Sequence, residues 1–189
     1  MSRRRPAAAA RQRGLSLITA LLFMVAALVL GVSVMSVNVM QERMIGNTKD
    51  RDLALQAAEA ALRDAERFIN RSVSATTAFA DDCANGLCTP PSQRAGTGYP
   101  SPLPVYDAAL GFSWNAATRV RTYGTGTAAA AYPGVARQPL YVIEKLGTLA
   151  QCAGCGADDA LRVAYRITSR GFGAREDTVA MLQSIYVKR

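Results

Sequence analysis

The fold is decided by one stretch near the start of the chain, residues 15–40, which reads LSLITALLFMVAALVLGVSVMSVNVM. This stretch has no charged side chain, and only six of its residues are polar or glycine. As an α-helix it would be about 39 Å long, which is more than the ~30 Å hydrocarbon core of a bilayer. We therefore predict that residues 15–41 form a membrane-spanning helix whose far end leaves the lipid.

The distribution of basic residues predicts the orientation of this helix. The first basic residue after the apolar stretch is Arg43, whereas five arginines precede it: Arg3, Arg4, Arg5, Arg11 and Arg13. Because basic residues are enriched on the cytoplasmic side of membrane helices, we expect the N-terminus in the cytoplasm. In a bacterium, the rest of the chain then faces the periplasm from a single-pass anchor in the inner membrane.

The composition excludes several classes of protein. The 189 residues suffice for one domain with an appendage. Histidine is absent, which excludes Ser-His-Asp triads, Cys-His dyads and histidine metal sites. The net charge of +8 falls to +3 without the five leading arginines, whereas a nucleic-acid-binding domain concentrates basic residues on its folded part. We therefore expect that the protein is not an enzyme and has no catalytic residue. We also expect that it binds no cofactor or metal and does not bind nucleic acid directly.

A processing motif lies between the basic leader and the apolar segment. Arg13 and Gly14 are followed directly by Leu15 and the apolar run, an arrangement that resembles a type III (prepilin) signal. The resemblance implies cleavage between Gly14 and Leu15 by prepilin peptidase, N-methylation of Leu15, and a cytoplasmic leader of residues 1–14. An uncleaved signal anchor and a secretory signal peptide are the alternatives, the second disfavoured because a signal h-region ordinarily has about 7–15 residues.

Several phrases elsewhere in the chain resemble the PilX-type minor pilins of type IV pili. Residues 41–47 read QERMIGN, residues 56–62 read QAAEAAL, and residues 165–171 and 183–187 read YRITSRG and QSIYV. The resemblance implies a hetero-oligomeric priming or tip complex with other minor pilins and a large adhesin-like tip protein. It also implies a final location at the pilus tip on the cell surface, and a part in pilus biogenesis, twitching motility or adhesion.

Thr19 departs from the general pilin pattern. Most pilins carry a glutamate five residues after the cleavage-site glycine, where its carboxylate is thought to meet the N-terminal amine of the adjoining subunit. An unpaired carboxylate is costly in lipid, so a subunit with no neighbour above it has less use for one. The tip pseudopilin of type II secretion also lacks this glutamate. Thr19 therefore indicates a place at the filament tip, the alternative being a threonine that merely tolerates interior packing.

Residues 42–71 are predicted to continue the helix. They are rich in good helix formers and contain neither proline nor a β-branched run. Apolar residues recur in this half at spacings of three and four, which predicts one buried stripe: Leu55, Ala58, Leu62, Ala65 and Ile69. We expect this amphipathic half to pack on a small soluble domain.

The soluble domain is predicted to have a loop-rich middle, residues 72–138, and a strand-rich end, residues 139–189. Turn-forming Gly, Pro and Asn crowd the middle. Aromatic and β-branched residues at 112–123 indicate a strand or two there, with Trp114 as a core residue. Since the middle shows no resemblance to a known family, its role is left open.

Period-two alternation over 140–146, 161–168 and 179–187 predicts three strands, each with one buried and one wet face. Residues 171–173 (GFG) are expected to form the turn of the last hairpin. The fold class is α+β and type IV pilin-like: a long N-terminal helix, transmembrane in its first half, packed on a C-terminal antiparallel sheet.

The alternation also predicts which face of the sheet two sets of side chains occupy. Arg162, Arg166 and Arg170 share one face of the second strand, for which a solvated face is favoured over a docking surface for another pilin. The last strand has its apolar residues at alternate positions, Val179, Met181, Ile185 and Val187. Alternation of this kind predicts that they face the core.

The four cysteines are disulfide candidates: Cys83, Cys88, Cys152 and Cys155. An oxidising compartment favours disulfides, and four cysteines allow three connectivities. The short loops suggest Cys83 with Cys88 and Cys152 with Cys155, but the sequence does not decide between the three. A four-thiolate zinc site and a redox dithiol at Cys152 and Cys155 are the alternatives, the first with a loosely suitable spacing and the second without a βαβ setting.

The acidic pairs Asp81-Asp82 and Asp158-Asp159 are expected to solvate or cap turns, since neither has the spacing of a known calcium loop. Two other functions remain as alternatives to a minor pilin. One is the tip minor pseudopilin of a type II secretion system, and the other is a membrane-anchored periplasmic thiol-redox or zinc-binding protein.

Overall fold

A computed structural model describes residues 15–94, 103–107, 110–149 and 162–188. The chain divides between Asn47 and Thr48 into two compact units. Helix α1, Leu15–Ser72, begins in the first unit and ends in the second. The helix ends one residue beyond the limit of residue 71 predicted from the sequence. A difference of this size is within the usual uncertainty of a helix end.

The described residues of the first unit are those of α1 from residue 15 to residue 47. Over Leu15–Val32 the mean hydropathy is 2.7 and none of the segment is buried. Large apolar side chains such as Leu17 and Phe23 are more than 70% exposed, which is unfavourable in water and favourable in lipid. By length and composition this helix fits the expected membrane anchor.

In the second unit, α1 buries a face made largely of alanine. Leu55, predicted to be buried, is 41% exposed, so the expected stripe is shifted around the helix. The reason is that the sheet comes very close: a Cβ atom on Gly171 would overlap the backbone of Ala54 and Ala58. Small side chains permit this approach, and the buried ones are Ala54, Ala57, Ala58, Ala61, Ala65, Phe68 and Ile69.

Five strands are present in the described part of the chain. They are β1 (Leu87–Cys88), β2 (Arg121–Thr122), β3 (Leu140–Leu149), β4 (Arg162–Phe172) and β5 (Val179–Lys188). The three long strands pair antiparallel in the order β3-β4-β5, and the two short strands share the outer side of β3, β1 parallel to it and β2 antiparallel. The α+β class is confirmed, and the three predicted C-terminal strands pair antiparallel; the parallel β1 makes the whole sheet mixed.

The last hairpin turns later than predicted. Gly171 and Phe172 belong to β4, opposite Ala180 and Val179, and the turn is closed by the hydrogen bond from Gly173 N to Thr178 O at 2.9 Å. The expectation of a turn at residues 171–173 is therefore wrong. Glycine at position 171 allows the strand to touch the helix backbone, which is a packing requirement that a turn-based interpretation overlooks.

Two hydrophobic cores lie on the two faces of the sheet. The first joins α1 to the sheet and contains Ala61, Phe68, Ile69, Tyr141, Ile143, Tyr165 and Ile167. The second joins the middle segment to the other face and contains Cys83, Cys88, Val105, Trp114, Val120, Leu140, Val142 and Phe172. Trp114 is a core residue, as predicted, and the strands β3 and β4 are covered on both faces.

Three of the four apolar side chains of β5 that were expected to face the core are exposed, and the fourth, Val187, is half-buried. Val179, Met181 and Ile185 are 36%, 42% and 67% exposed, which contradicts the expectation that they are buried. The physical reason is the extent of the second core, whose sheet residues come from β3 and β4. The middle segment therefore covers two strands of this face, and the outer side chains of β5 lie beyond its cover.

Asp50 of α1 fixes the turn between β4 and β5. One carboxylate oxygen accepts the Ala174 N–H at 2.5 Å, and the other accepts the Thr178 hydroxyl at 2.5 Å and the Arg175 Nε–H at 3.2 Å. The hydrogen bond from Thr178 is the largest cause that holds the pKa of the Asp50 carboxyl below its ordinary value. An unfolded aspartate has a pKa of about 3.9, so this stabilisation is complete above that pH and is lost as the pH falls through the lower pKa of the folded state.

We expect Asp50→Asn to lower the melting temperature of the full chain in detergent at pH 7 by a few degrees, and to flatten its dependence on pH below 5. Asn cannot accept the same set of bonds with a negative charge. Fluorescence of the single tryptophan, Trp114, monitors the transition. Asp52→Asn, a change of charge at an exposed position two residues away, is the control and should melt like the wild type. Identical acid profiles for wild type and Asp50→Asn would contradict the role of Asp50.

Candidate functional site

Helix α1 begins at Leu15, the residue that follows the predicted cleavage point. Gly14 and the remaining leader residues lie outside the described residues, so cleavage between Gly14 and Leu15 stays a prediction. In the first turn, the hydroxyl of Thr19 donates to the carbonyl oxygens of Leu15 at 3.1 Å and Ser16 at 3.0 Å. Thr19 is therefore satisfied within its own helix, without a group from a neighbouring subunit.

Cys83 and Cys88 are joined in a disulfide, and both are completely buried in the second core. The bond closes a short loop in which Cys83 and Asn85 have positive φ angles. In this oxidised form the pair offers no thiolate to the four-thiolate zinc site considered from the sequence. Cys152 and Cys155 lie outside the described residues, so their pairing stays a prediction.

The acidic pair beside this disulfide is engaged in local bonds. An Asp82 carboxylate oxygen accepts the Ala84 N–H at 3.1 Å, and the backbone carbonyl of Asp82 accepts the Arg119 Nε–H at 2.9 Å. A carboxylate oxygen of Asp81 lies 3.9 Å from the Nε of Arg94. Within the described ranges, no group of three or more metal-binding side chains is found. Asp82 thus caps a turn, as expected, while Asp158 and Asp159 lie outside those ranges.

A buried ion pair lies at the centre of the sheet. Arg166 donates through Nε and Nη2 to the two carboxylate oxygens of Glu144 at 2.8 and 2.7 Å, and the two residues face each other across β3 and β4. The side chains are 7% and 0% exposed. The expected solvated face of arginines is therefore wrong, because the middle segment covers it.

The ion pair also fixes part of that covering segment. Glu144 accepts the Val105 N–H at 3.1 Å, and Arg166 donates to the Leu103 carbonyl at 2.8 Å. Val105 is 1% exposed and belongs to the second core. Charged groups in low dielectric need such additional bonds, so the pair and the segment at 103–107 stabilise each other.

The other two arginines of this face differ from Arg166. Arg170 lies over the rings of Trp114 and Phe172, with its guanidinium carbon 6.0 and 5.2 Å from their centroids. Burial, and then the charge of Arg137, lower the pKa of Arg170 from its ordinary value. Arg162 is half-buried at the start of β4. The three arginines thus have three different environments and do not form one charged surface.

Asp64 fixes the other part of the middle segment to α1. This fully buried carboxylate accepts the Gly124 N–H at 2.9 Å and the hydroxyl of Thr127. Burial, followed by the nearby charge of Asp64, raises the pKa of Tyr141. Arg121 stacks on the Phe68 ring at 3.8 Å and donates to the Asn85 carbonyl at 3.2 Å.

No sequence pattern distinguishes Asp50 and Asp64 from the other charged residues of the helix, and Glu144 was not among the expected site residues. Asp64 and Asp50 lie on the inner face of the helix. The sequence predicts an apolar stripe that is displaced from this face by about one residue. Glu144 could have been noticed, because it is an acidic residue at an inward position of a strand that is otherwise apolar on that face. Its partner Arg166 lies at an inward position of the next strand, and such buried opposite charges are rarely left unpaired.

Two partly open cavities are found among the described residues. One of about 320 Å³ is lined by Val73, Ser74, Ala75, Lys145, Thr148, Val163, Tyr165 and Lys188. Its Lys188 ammonium donates to the carbonyl oxygens of Ile69 at 2.8 Å and Val73 at 2.5 Å. These are carbonyls at the C-terminal end of α1, where a positive charge is favourable. Lys188 therefore serves the helix end.

Comparison with protein families gives two matches. The model described as Type IV pilus assembly protein PilX C-term matches residues 75–188, and the PilX N-terminal model matches residues 13–63. No curated protein and no solved structure matches the chain. The two matches cover both the anchor and the region that forms the sheet. The C-terminal match also includes residues 75–138, so the expectation that the middle of the chain resembles no known family is wrong.

The buried ion pair predicts a non-additive response to substitution. Glu144→Ala should destabilise the full chain by about 3–5 kcal/mol, because it leaves the Arg166 charge buried and unpaired. Adding Arg166→Met should recover a large part of that loss, although the bonds to residues 103 and 105 stay missing. Denaturant unfolding followed by Trp114 fluorescence measures both. Equal losses in the single and double variants would contradict an energetically coupled pair.

Proposed function

The chain belongs to the PilX family of type IV pilus assembly proteins, and from that membership we propose that it is a minor pilin of a priming and tip complex. The single observation that carries the proposal is the match over both the anchor and the sheet region. The family is one of pilus assembly, which favours a pilus over the alternative of a type II secretion pseudopilin. The coarse role, a minor pilin in type IV pilus assembly, follows from the family itself.

The anchor supports an assembly role in the membrane. Residues 15–41 would hold the protein in the inner membrane, with the leader in the cytoplasm and the head, residues 42–189, in the periplasm. Prepilin peptidase would cut between Gly14 and Leu15, so that the mature chain begins with the first residue of α1. The apolar surface of Leu15–Val32 is then available first to lipid and later to the helices of other subunits.

Thr19 supports a place at the tip of the filament. Its hydroxyl is satisfied by the carbonyls of its own helix, so the position needs no amine from an adjoining subunit. A subunit with this arrangement can end a stack. The partners proposed are other minor pilins and a large adhesin-like tip protein, and twitching motility and adhesion would be properties of the assembled machine.

The head supports a structural rather than a chemical role. Its buried charged groups, Asp64, Glu144 and Arg166, bind loop backbone or each other. These groups hold loops and strands together inside the head, so their bonds support the fold and are not directed at a bound molecule. A non-catalytic subunit that works through its surfaces is the interpretation that uses all of these contacts.

Processing of the leader tests the proposal. In a strain with active prepilin peptidase, the membrane-extracted protein should begin at Leu15 with an N-methyl group, and in a strain without the peptidase it should retain residues 1–14. Gly14→Val should reduce processing at least tenfold, and Ala9→Val, a similar change inside the leader, should not. N-terminal sequencing and intact mass measure the outcome. A leader retained in both strains, or a cut beyond α1, would contradict the minor pilin proposal.

The place at the tip has its own test. Thr19→Glu supplies the carboxylate found in most pilins, so the variant should enter the filament shaft and its amount in sheared pili should rise several-fold. Thr19→Ser keeps the hydroxyl and should stay at the wild-type amount. Quantitative immunoblotting of sheared pili against cell-bound protein measures the change. Equal amounts for all three proteins would contradict a positional role for Thr19.

A further inference from the structure

Strand β5 is an open edge of the sheet. Of the described strands, it pairs with β4 alone. A strand that is paired on one side presents unpaired N–H and C=O groups on the other, at alternate residues. Over the ten residues of Val179–Lys188 this gives a long row of backbone donors and acceptors that no other described strand pairs with.

The usual protections of an edge strand are missing from β5. Edge strands are ordinarily short, bulged, interrupted by proline or marked by charged side chains. In β5 the register with β4 is unbroken from Val179 opposite Phe172 to Lys188 opposite Val163. The strand contains no proline. Its one charged residue, Lys188, is at the end and is bound to the Ile69 and Asn70 carbonyls of α1.

The outer face of β5 is apolar. Val179, Met181 and Ile185 are exposed at alternate positions, with Gln183 between them donating to the Thr168 hydroxyl at 3.2 Å. The inner face is held in place, since the Tyr186 hydroxyl donates to the Asn70 side chain at 2.7 Å. A firmly held strand thus combines an unpaired backbone with an exposed apolar row.

We propose that β5 is a docking edge to which another pilus subunit adds an extended segment as a further strand. This inference rests on the proposed function. Only an extended backbone can satisfy a row of strand donors and acceptors along its whole length, and alternate side chains then give specificity. The exposed residues require that the added segment carry apolar side chains at alternate positions on the same face.

A second copy of this chain is a less suitable occupant. The outward residues of β5 run Val, Met, Gln, Ile, Val, and are thus symmetric about Gln183. Antiparallel pairing of two copies would therefore match side chains. However, such a pair is related by a two-fold axis perpendicular to the sheet. Any direction that lies in the sheet plane of one copy is therefore reversed in the other copy. The buried face of α1 from Ala54 to Ile69 packs on the sheet, so these helix segments would run in opposite directions.

This reversal matters because the chain passes at residue 48 from the compact unit that contains its anchor into the unit that contains the sheet. In the symmetric pair the two residues 48 would lie on opposite sides of the dimer, whereas two chains of one membrane approach it from the same side. A segment of a different subunit has no such constraint. The geometry therefore favours a different subunit over a second copy.

Photo-crosslinking in pilus-producing cells tests this proposal with the full chain. A photoreactive amino acid is placed at position 181, 183 or 185, and at position 130, an exposed alanine outside the sheet, as the control. We expect positions 181, 183 and 185 to cross-link to one segment of one other pilus subunit. Moving the probe by two residues should move the cross-linked residue by about two along that segment, as in paired strands.

A charge on the edge should weaken docking. Ile185→Lys should lower the cross-link yield from position 183 about tenfold, because a lysine inside the pair loses hydration. Ile185→Thr, which keeps a β-branched side chain, should have a smaller effect, and Ala130→Lys none. Ile185 is 67% exposed, so all three variants should fold. An unchanged melting temperature and an intact Cys83–Cys88 disulfide check this.

Three outcomes would overturn the docking edge. One is an adduct with twice the mass of the chain, which would show a second copy. A second is that the control probe at position 130 gives the same adducts as the probes at positions 181, 183 and 185. The third is the absence of adducts in cells where the leader is cleaved before Leu15 and pili form. Failure of the proposed function is distinguishable, because it shows as a retained leader in the same cells.

Discussion

The buried pair of Glu144 and Arg166 is the constraint on which the head depends. Two full charges lie at the centre of the sheet on adjacent strands, with exposures of 0% and 7%. Their mutual attraction alone does not offset the loss of hydration. Two further hydrogen bonds join the pair to the backbone of Leu103 and Val105. The sheet face is therefore stable only when the middle segment covers it, and this links a loop-rich stretch to the fold.

On the opposite face of the sheet, carboxylates of the helix likewise bind irregular segments of the chain. Its inner surface is mainly alanine, which permits the close approach to Gly171 but offers little apolar area for each residue. Asp50 and Asp64 supply directional bonds in that surface, one to the turn after β4 and the other to the loop at 124–127. Three carboxylates, counting Glu144, thus fix three irregular segments to two regular elements. This arrangement explains how a chain with few aromatic residues forms a defined head.

The sequence predicts the regular elements well because their signals are local. The charge-free stretch predicts the anchor, and period-two alternation predicts β3, β4 and β5. The faces are predicted less well. The stripe with Leu55 is displaced because close helix–sheet contact selects small side chains, and the turn at residues 171–173 is misplaced because glycine there serves packing. Glu144 with Val105 and Asp64 with Gly124 join residues 39 and 60 positions apart, and no local pattern contains such contacts.

The same contacts explain why one part of the sheet stays open. The middle segment is held by Glu144 and Arg166, which lie on β3 and β4, and by Asp64, which lies on α1. Each of these bonds draws the segment towards the centre of the head, and none of them lies on the outer face of β5. Covering that face as well would need a longer segment and a further fixed point. An exposed apolar row costs solubility, and the bare edge is therefore better explained by use in assembly than by the needs of the isolated head.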